Sequence, residues 1–509
     1  MPDHLTTGQG TPVPDDRNSL TAGRRGPTLL ADHHLLEKLA HLNRERLPER
    51  IVGARGAAAF GVFQPTEGLA DYTKAALFTK DRSTPVSVRF SMFTHGRQAP
   101  ETLRDLRGMA VKFYTSEGNF DLVCGSLPVF FIRDGMQFPD LVHALKPSPV
   151  TGLSEVERFF DFLSFVPEAT HMLVWLYSDM GTPKSYRHMP AYSVNAYVWV
   201  NARGAACYVK YHWRPTAGQE FFTAEQAQVM QARDVSHATR DLYAALRSGS
   251  TVDYDLFVQL MALDEQGELG LDPLDATVLW PEERWPLIPA GRMSLNRPPL
   301  NDFAESEQLA AGPANAVPGI ELSTDRLLQA RAFAYADAQR HRLGPNHQQL
   351  PVNRPRIAAH TNQQDGLMAL DFSSSSVNYS PSGEALYEPT GQPFDVPMQL
   401  EDTVTREPIA LVNDFRQAGA SWRAFPVPMQ VSVVANLGDQ LALVQSRRVV
   451  DAISANLRRA DPALGDAVLR RAQGRLTDLD AFAADLAPPQ LVAEPAPDEP
   501  AATSPTPPA

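Results

Sequence analysis

Arg331-Ala-Phe-Ala-Tyr335-Ala-Asp337-Ala-Gln-Arg340-His-Arg342-Leu-Gly344 is the stretch on which the reading of this sequence turns. The pattern predicts a helix from about Asp325 to Gln339, which places Arg331 and Tyr335 one turn apart on one face. A phenol ionises near pH 10 and acts as an anionic ligand only where a cation holds it ionised. An arginine four residues earlier suits that role, and tyrosinate is one of the axial ligands that haem iron accepts. The plain alternative is a tyrosine and an arginine on an ordinary amphipathic helix. Spacing alone does not choose between them.

The rest of the chain sets bounds. Its 509 residues allow one large domain with appendages or two domains. Apolar residues make up 43 % and charged residues 21 %, a globular composition. Lys and Arg number 46 against 59 Asp and Glu, a net charge of −13. Such a surface repels phosphate backbones and anionic lipid, so neither nucleic acid nor membrane is an expected partner. No apolar run reaches the roughly 18–20 residues of a bilayer span. The start, Met1 to Gly10, is polar and lacks a hydrophobic signal core, which makes a cytoplasmic location the expectation. Two cysteines, Cys124 and Cys207, exclude a disulfide framework and a four-thiolate metal site. No HExxH, P-loop or GxGxxG occurs. A cofactor must be held some other way.

Residues 1–25 read as a polar arm, and helical texture begins near Leu29 and ends before Pro48. From Pro85 the period changes to two. Val86, Val88 and Phe90 alternate on one predicted strand and Met109, Val111 and Phe113 on another, followed by Phe120–Val123 and the run Leu127–Ile132. Further strands are expected at Ala196–Val200, Ala206–His212 and Tyr254–Leu260. Capping boxes at Ser154-x-x-Glu157 and Thr223-x-x-Gln226 open helices expected to run to about Phe165 and towards Leu246. Residues 281–322 are Pro-rich and read as a mostly irregular wrapping segment, and helices return beyond about 430. The sum is an α+β arrangement, an antiparallel sheet or barrel with helices inserted. The expected divisions are an arm at 1–25, a core at 26–415, a helical segment at 416–487 and a disordered Pro-rich tail at 488–509.

Motifs spread along the chain carry a resemblance that local chemistry does not. They are Arg25-Gly-Pro-Thr-Leu-Leu, Arg44-Glu-Arg-Leu-Pro-Glu-Arg50, Val88-Arg89-Phe90-Ser91, Arg104-Asp105-x-Arg107-Gly108, Gly118-Asn-Phe-Asp-Leu-Val and Pro128-Val-Phe-Phe-Ile-Arg-Asp134. Arg187-His-Met, Tyr211-His-Trp, Leu295-Asn-Arg and the stretch Arg331 to Asn353 follow in order. Together they resemble the haem catalases over roughly residues 25 to 480. The resemblance implies an eight-stranded antiparallel barrel with an N-terminal arm, a wrapping segment and C-terminal helices, assembled as a homotetramer. It implies haem b, with Tyr335 as iron ligand and Arg331 bonding its phenolate. Arg50, Arg89 and Arg342 match the arginines that pair with the haem propionates, Phe138 the aromatic that stacks on the porphyrin, and Asp105 the acidic residue of the substrate channel.

The distal half departs from the family. Peroxide cleavage at a haem uses a base that moves a proton between the two oxygens and an amide that orients the peroxide. The family's Glu-Arg-Val-Val-His-Ala reads Glu49-Arg50-Ile51-Val52-Gly53-Ala54 here, and its Gly-Asn-Asn-x-Pro reads Cys124-Gly125-Ser126-Leu127-Pro128. The histidine position is therefore Gly53 and the asparagine position Gly125. Ser91, which in the family bonds that histidine, is retained. His95, Cys124 and Ser126 are the candidates for a substitute group, each also readable as solvated or buried structure. Of the residues that fit the family's NADPH site, His171, Ser178 and Arg214 remain. Met180, Pro190 and Glu282 stand at other matched positions, which argues against NADPH binding. Ser193-Val194-Asn195 stands where the family has Gly-Ser-His, and that histidine's partner matches Asp325.

Three readings compete: decay, redeployment towards an organic ligand in an enlarged apolar pocket, and weak peroxide chemistry through another base. The first hypothesis is a haem oxidoreductase acting on peroxide or an organic substrate with low dismutation. The second is a non-catalytic haem or small-ligand binding protein. Replacing Gly53 by His and Gly125 by Asn is expected to raise dismutation if the surrounding scaffold is unchanged.

Overall fold

The computed structural model describes residues 4–66, 68–265, 270–390, 406–409 and 413–486. Ten strands form one antiparallel sheet: β1 Gly56–Pro65, β2 Thr84–Met92, β3 Arg107–Thr115, β4 Gly118–Gly125, β5 Ala191–Tyr192, β6 Tyr197–Val200, β7 Ala206–Pro215, β8 Val252–Ala262, β9 Ile288–Arg297 and β10 Ile320–Leu322. Eight of them close a barrel in the order β1-β2-β3-β4-β5-β7-β8-β9, with β9 pairing back onto β1. β6 extends the sheet from the first half of β7, and β10 pairs with β6.

The period-two pattern dictates what fills the barrel. Val86, Val88 and Phe90, Met109, Val111 and Phe113, and Tyr254, Leu256 and Val258 all point inward, sealed from solvent in a single cluster. Phe120, Leu122 and Cys124 of β4 join them. Residues of the opposite parity face outward from the barrel wall.

Seven helices precede the C-terminal group: α1 His33–Leu42, which buries no residue and binds the N-terminal arm, then α2 Phe138–Leu145, α3 Val156–Leu163, α4 Ala169–Tyr177, α5 Ala224–Arg233, α6 His237–Arg247 and α7 Arg326–Leu343. Five more close the described chain: α8 Arg416–Ala424, α9 Val427–Leu441, α10 Arg447–Ala460, α11 Pro462–Ala472 and α12 Leu479–Asp485. Residues of α8–α12 share one apolar core with α2–α4. No helix among the described residues is long and apolar enough to cross a membrane. The tail 488–509 lies outside the described residues.

Several expectations need correction. The run Leu127–Ile132 is buried but is not a strand: the chain leaves the barrel after Gly125, and Pro128 has no N–H to give a ladder. The segment 281–322 is mostly irregular as expected, but it also supplies β9, which closes the barrel and was not anticipated. β1 was not anticipated, its small residues Gly56-Ala-Ala-Ala giving little alternation. The Ser154 box does not form: α3 starts at Val156 without a side-chain cap, and Glu157 instead accepts from the Gln445 amide at 2.9 Å. The Thr223 box forms as expected, but its helix stops at Arg233 and α6 begins anew at His237. The first helix starts at His33 rather than Leu29, capped by Asp32.

The wrapping segment is fastened by a charge. Lys112 and Asp121, register partners across β3 and β4, form a buried ion pair at 2.7 and 2.8 Å. Asp121 also accepts from the Gly312 amide at 2.9 Å and from Asn315 at 2.7 Å. Asp121→Ala strands the lysine ammonium in the interior and is expected to destabilise by about 3–5 kcal/mol. Denaturant unfolding checks this, and a loss below about 1 kcal/mol would contradict the role given to the pair.

Candidate functional site

The site lies on the outside of the barrel wall, where α7 crosses it. Arg331, Tyr335 and Arg342 are spaced by four and seven residues, which puts all three on one face of α7. The wall positions Gly108, Ala110 and Gly125 carry minimal side chains and stay only partly buried. A Cβ on Gly108 would come within 2.6 Å of Ser91 Oγ.

At the N-terminal end of α7 the Arg331 guanidinium lies 5.5 Å from the Tyr335 ring. Its Nη2 donates to the Val123 carbonyl of β4 at 3.1 Å, and its Nη1 donates to Asn195 Oδ1. Asn195 Nδ2 donates in turn to Asp325 at 2.5 Å. Asp325 caps α7, accepting from the amides of Leu327 and Leu328 at 2.8 and 3.1 Å. A tight three-residue turn aims Asn195: Val194 sits at φ +62°, and the Asn195 amide donates to the Ser193 carbonyl at 2.7 Å. The sequence had marked this network as altered by the change at 195. The structure shows an unbroken chain from Asp325 through Asn195 to Arg331.

At the other end three largely buried arginines gather near one acid, Glu307, which Arg50 and Arg342 approach at 3.1 and 3.7 Å. Arg50 donates to Glu307 Oε1 at 3.1 Å and to the carbonyls of Ser306, Glu307 and Leu309 at 3.1, 2.8 and 3.0 Å. Arg342 Nη2 donates to the Glu307 carbonyl at 2.7 Å. Arg89 donates to the carbonyls of Gly53 and Ala54 at 2.6 and 3.0 Å. Burial lowers the pKa of all three, and for Arg50 the charges of Arg89 and Arg342 add to it. The Nε groups of Arg89 and Arg342 are buried with no acceptor among the described residues. Arg97 adds a further guanidinium, 3.9 Å from Glu307 and 3.7 Å from Asp302, so cations outnumber acids at this end, an excess that a ligand with carboxylates would neutralise.

The third wall of the site is apolar. Phe93 packs edge-on against Phe130 at 5.9 Å and against Phe138 at 6.4 Å, and all three rings remain partly exposed. Gly53 lies in the left-handed region at φ +78°, its amide donating to the Phe93 carbonyl at 2.8 Å. A Cβ there would be 3.2 Å from Ser91 Oγ, and a Cβ on Gly125 would be 3.1 Å from Leu106 Cδ1.

The substitute bases do not converge on this wall. Cys124 points into the barrel interior, and burial pushes its thiol up to about 12. Ser126 Oγ is taken by the Arg107 amide at 3.0 Å. His95 is partly exposed and lies 3.9 Å from Asp105, which also accepts from the Phe93 amide at 2.8 Å. Burial raises the Asp105 carboxyl above its usual range.

Most residues matched to a dinucleotide site have partners within the chain. Both His171 ring nitrogens are engaged, Nδ1 with the Thr277 carbonyl at 2.8 Å and Nε2 with Ser421 at 2.9 Å. Ser178 caps the following turn through the Met180 amide, Met180 and Pro190 are buried, and Arg214 faces Glu282 at 3.5 Å. Glu307 and Leu106 escaped the sequence reading. Glu307 meets arginines 257 and 35 positions away, and Leu106 is the unassigned position inside Arg104-Asp105-x-Arg107.

Comparisons with known proteins agree in direction. The sequence profile of the Catalase family matches residues 6–385. "Catalase isozyme 3" of Zea mays is 47% identical over 443 residues, covering 86% of this chain and 88% of that protein. A catalase of Vibrio cholerae serotype O1 is 44% identical over 479 residues, 93% and 94% of the two chains. A bacterial catalase structure superposes with TM-score 0.88 at 36% identity, covering 93% of this chain and 96% of that one.

Burial raises the Asp325 carboxyl to about 6, outweighing the hydrogen bonds from Asn195 and the Leu328 and Leu327 amides that lower it. A carboxyl with a raised folded pKa favours the folded state while protonated, so this contribution is full below about pH 4 and is lost as pH rises through about 6. Asp325→Asn keeps a neutral cap and removes the titration. Between pH 4 and 7 the wild type is expected to lose about 3 kcal/mol relative to the variant in urea unfolding. A pH-independent difference would contradict this.

Proposed function

The chain belongs to the catalase family, haem enzymes that act on peroxide, and we propose that it is a divergent member with little hydrogen-peroxide dismutation. In this reading it is a haem b oxidoreductase acting on peroxide or on an organic, hydroperoxide-like substrate. The observation that carries it is a site whose cationic end is equipped for a dianionic group, while glycine stands at both 53 and 125.

The residues present fit haem. Arg50, Arg89 and Arg342 would hold its propionates, the Nε groups of Arg89 and Arg342 being buried donors without an acceptor. Tyr335 would ligate the iron, with Arg331 beside the phenol to favour its ionised form. Phe138 would stack on the ring and Ser91 would border the distal side. Bound there, haem would supply the iron at which a peroxide O–O bond is cleaved.

The chain's own contribution on the distal side is steric and apolar. Gly53 and Gly125 neither take nor give a proton, Cys124 faces the barrel interior, and Ser126 is committed to Arg107. His95 and Asp105 are the titratable pair nearest the Phe93 wall, and they offer at most an indirect route for a proton. A positioned acid–base group contributes about 10²–10⁴ in rate and an oriented donor about 10²–10³. The absence of both is expected to lower dismutation by at least about 10⁴.

A second reading, a non-catalytic haem or small-ligand binding protein, draws on the same lack of a distal base. Consumption of an organic hydroperoxide separates the two, because a binder gives a saturable spectral shift without turnover. The proposal includes a homotetramer, the assembly that the family resemblance implies. It does not include NADPH, whose matched arginine faces Glu282.

Oxygen evolution per bound haem tests the central claim. We expect it at least about 10⁴-fold below that of a complete catalase, and a comparable rate would overturn the proposal. Tyr335→Phe is expected to abolish the tyrosinate haem spectrum, and retention of that spectrum would remove the ligand assignment.

A further inference from the structure

Gly125 looks like a deletion, yet the space beside it is occupied. A Cβ built on Gly125 lies 3.1 Å from Leu106 Cδ1, tighter than an ordinary van der Waals contact, and 3.8 Å from Cδ2 and Cγ, in ordinary contact. The backbone on either side of Leu106 is pinned. Asp105 accepts from the Phe93 amide at 2.8 Å, and Arg107 donates to the carbonyls of Glu101 and Asp105, each at 2.9 Å. The Arg107 amide donates to Ser126 Oγ at 3.0 Å, and the Ser126 amide donates to the Arg107 carbonyl at 2.8 Å. The isobutyl group packs in the same core as Leu127 and Val129, which leaves it little room to withdraw. Phe93, Phe130 and Phe138 continue the apolar surface.

We infer that Leu106 is a specificity-determining residue, which fills the place of a side chain at 125 and shapes the apolar wall of the proposed haem site for an apolar, aryl or branched-alkyl ligand. The inference rests on the proposed haem site. It deepens that reading by naming the ligand class and the residue that selects it. Leu106 touches the organic part of the ligand and moves no proton, so its effect falls on bulky apolar ligands and spares diatomic ones.

The test uses the ferric haem-loaded protein and two iron ligands, cyanide and 4-phenylimidazole, titrated by their spectral shifts. Leu106→Ala is expected to weaken 4-phenylimidazole by about tenfold or more, the scale of withdrawn methylene contacts, and to leave cyanide within about twofold. Leu106→Val, a milder truncation, is expected to fall between, and it keeps the test decisive if the alanine variant fails to fold. Equal effects on both ligands, or none on either, would overturn the inference while leaving the haem reading intact. No shift with cyanide in the wild type would overturn the haem reading and the inference with it. A second readout is packing: Gly125→Asn alone is expected to lower thermal stability, and Leu106→Ala in the same chain to restore part of it. Additive losses would contradict the contact.

Discussion

Everything at this site is organised around three guanidiniums and one carboxylate. Arg50 comes from the chain before β1, Arg89 from β2, Arg342 from α7 and Glu307 from the turn after β9, so one cluster ties four remote segments together. Charges out of water are costly, and here cations outnumber the acid among them. The arginine carbonyl contacts position the groups without neutralising them, and burial lowers the pKa of all three, with neighbouring guanidiniums adding to it at Arg50 and Arg342. Such a cluster makes sense as the receptor for an anion with two carboxylates. Helical geometry then carries the consequence along α7, because Arg342 and Tyr335 lie two turns apart on one face and Arg331 one turn further.

The opposite wall has followed a different course. Gly53 holds a left-handed conformation, which a side chain there would meet with about 1–2 kcal/mol of strain. Gly125 faces Leu106. The two glycines are therefore not simply missing side chains on an unchanged scaffold, and Gly53→His with Gly125→Asn would have to displace Leu106 and accept that strain before any dismutation could return.

The barrel was legible because its inward positions repeat with period two in Val, Phe, Met and Leu, as in Val86-x-Val88-x-Phe90. β1 and β9 were not, since Gly56-Ala-Ala-Ala is weakly patterned and β9 begins with Ile288-Pro-Ala-Gly and is fixed by pairing with β1 and β8. The buried run Leu127–Ile132 misled for a related reason: a short apolar stretch is equally at home in a packed loop. The site residues came from motif resemblance, not from spacing. Glu307, Leu106 and the bridging role of Asn195 stayed hidden because each depends on contacts between segments that only the folded chain brings together.

Asn195 and Leu106 also bear on the proposed divergence of the distal side. An amide can donate and accept at once, so Asn195 gives its N–H to Asp325 while its oxygen receives Arg331, and the chain reaches the guanidinium that lies beside the Tyr335 ring. Decay would leave such links to chance. On the distal side, removing two side chains from a packed wall would leave a hole that costs stability in proportion to its volume. Leu106 occupies the space beside one of them, and the phenylalanines surround it with apolar surface. One half has kept its hydrogen bonds through a compatible substitution and the other has been repacked with hydrocarbon. That pairing favours redeployment towards an organic ligand over the erosion of an enzyme.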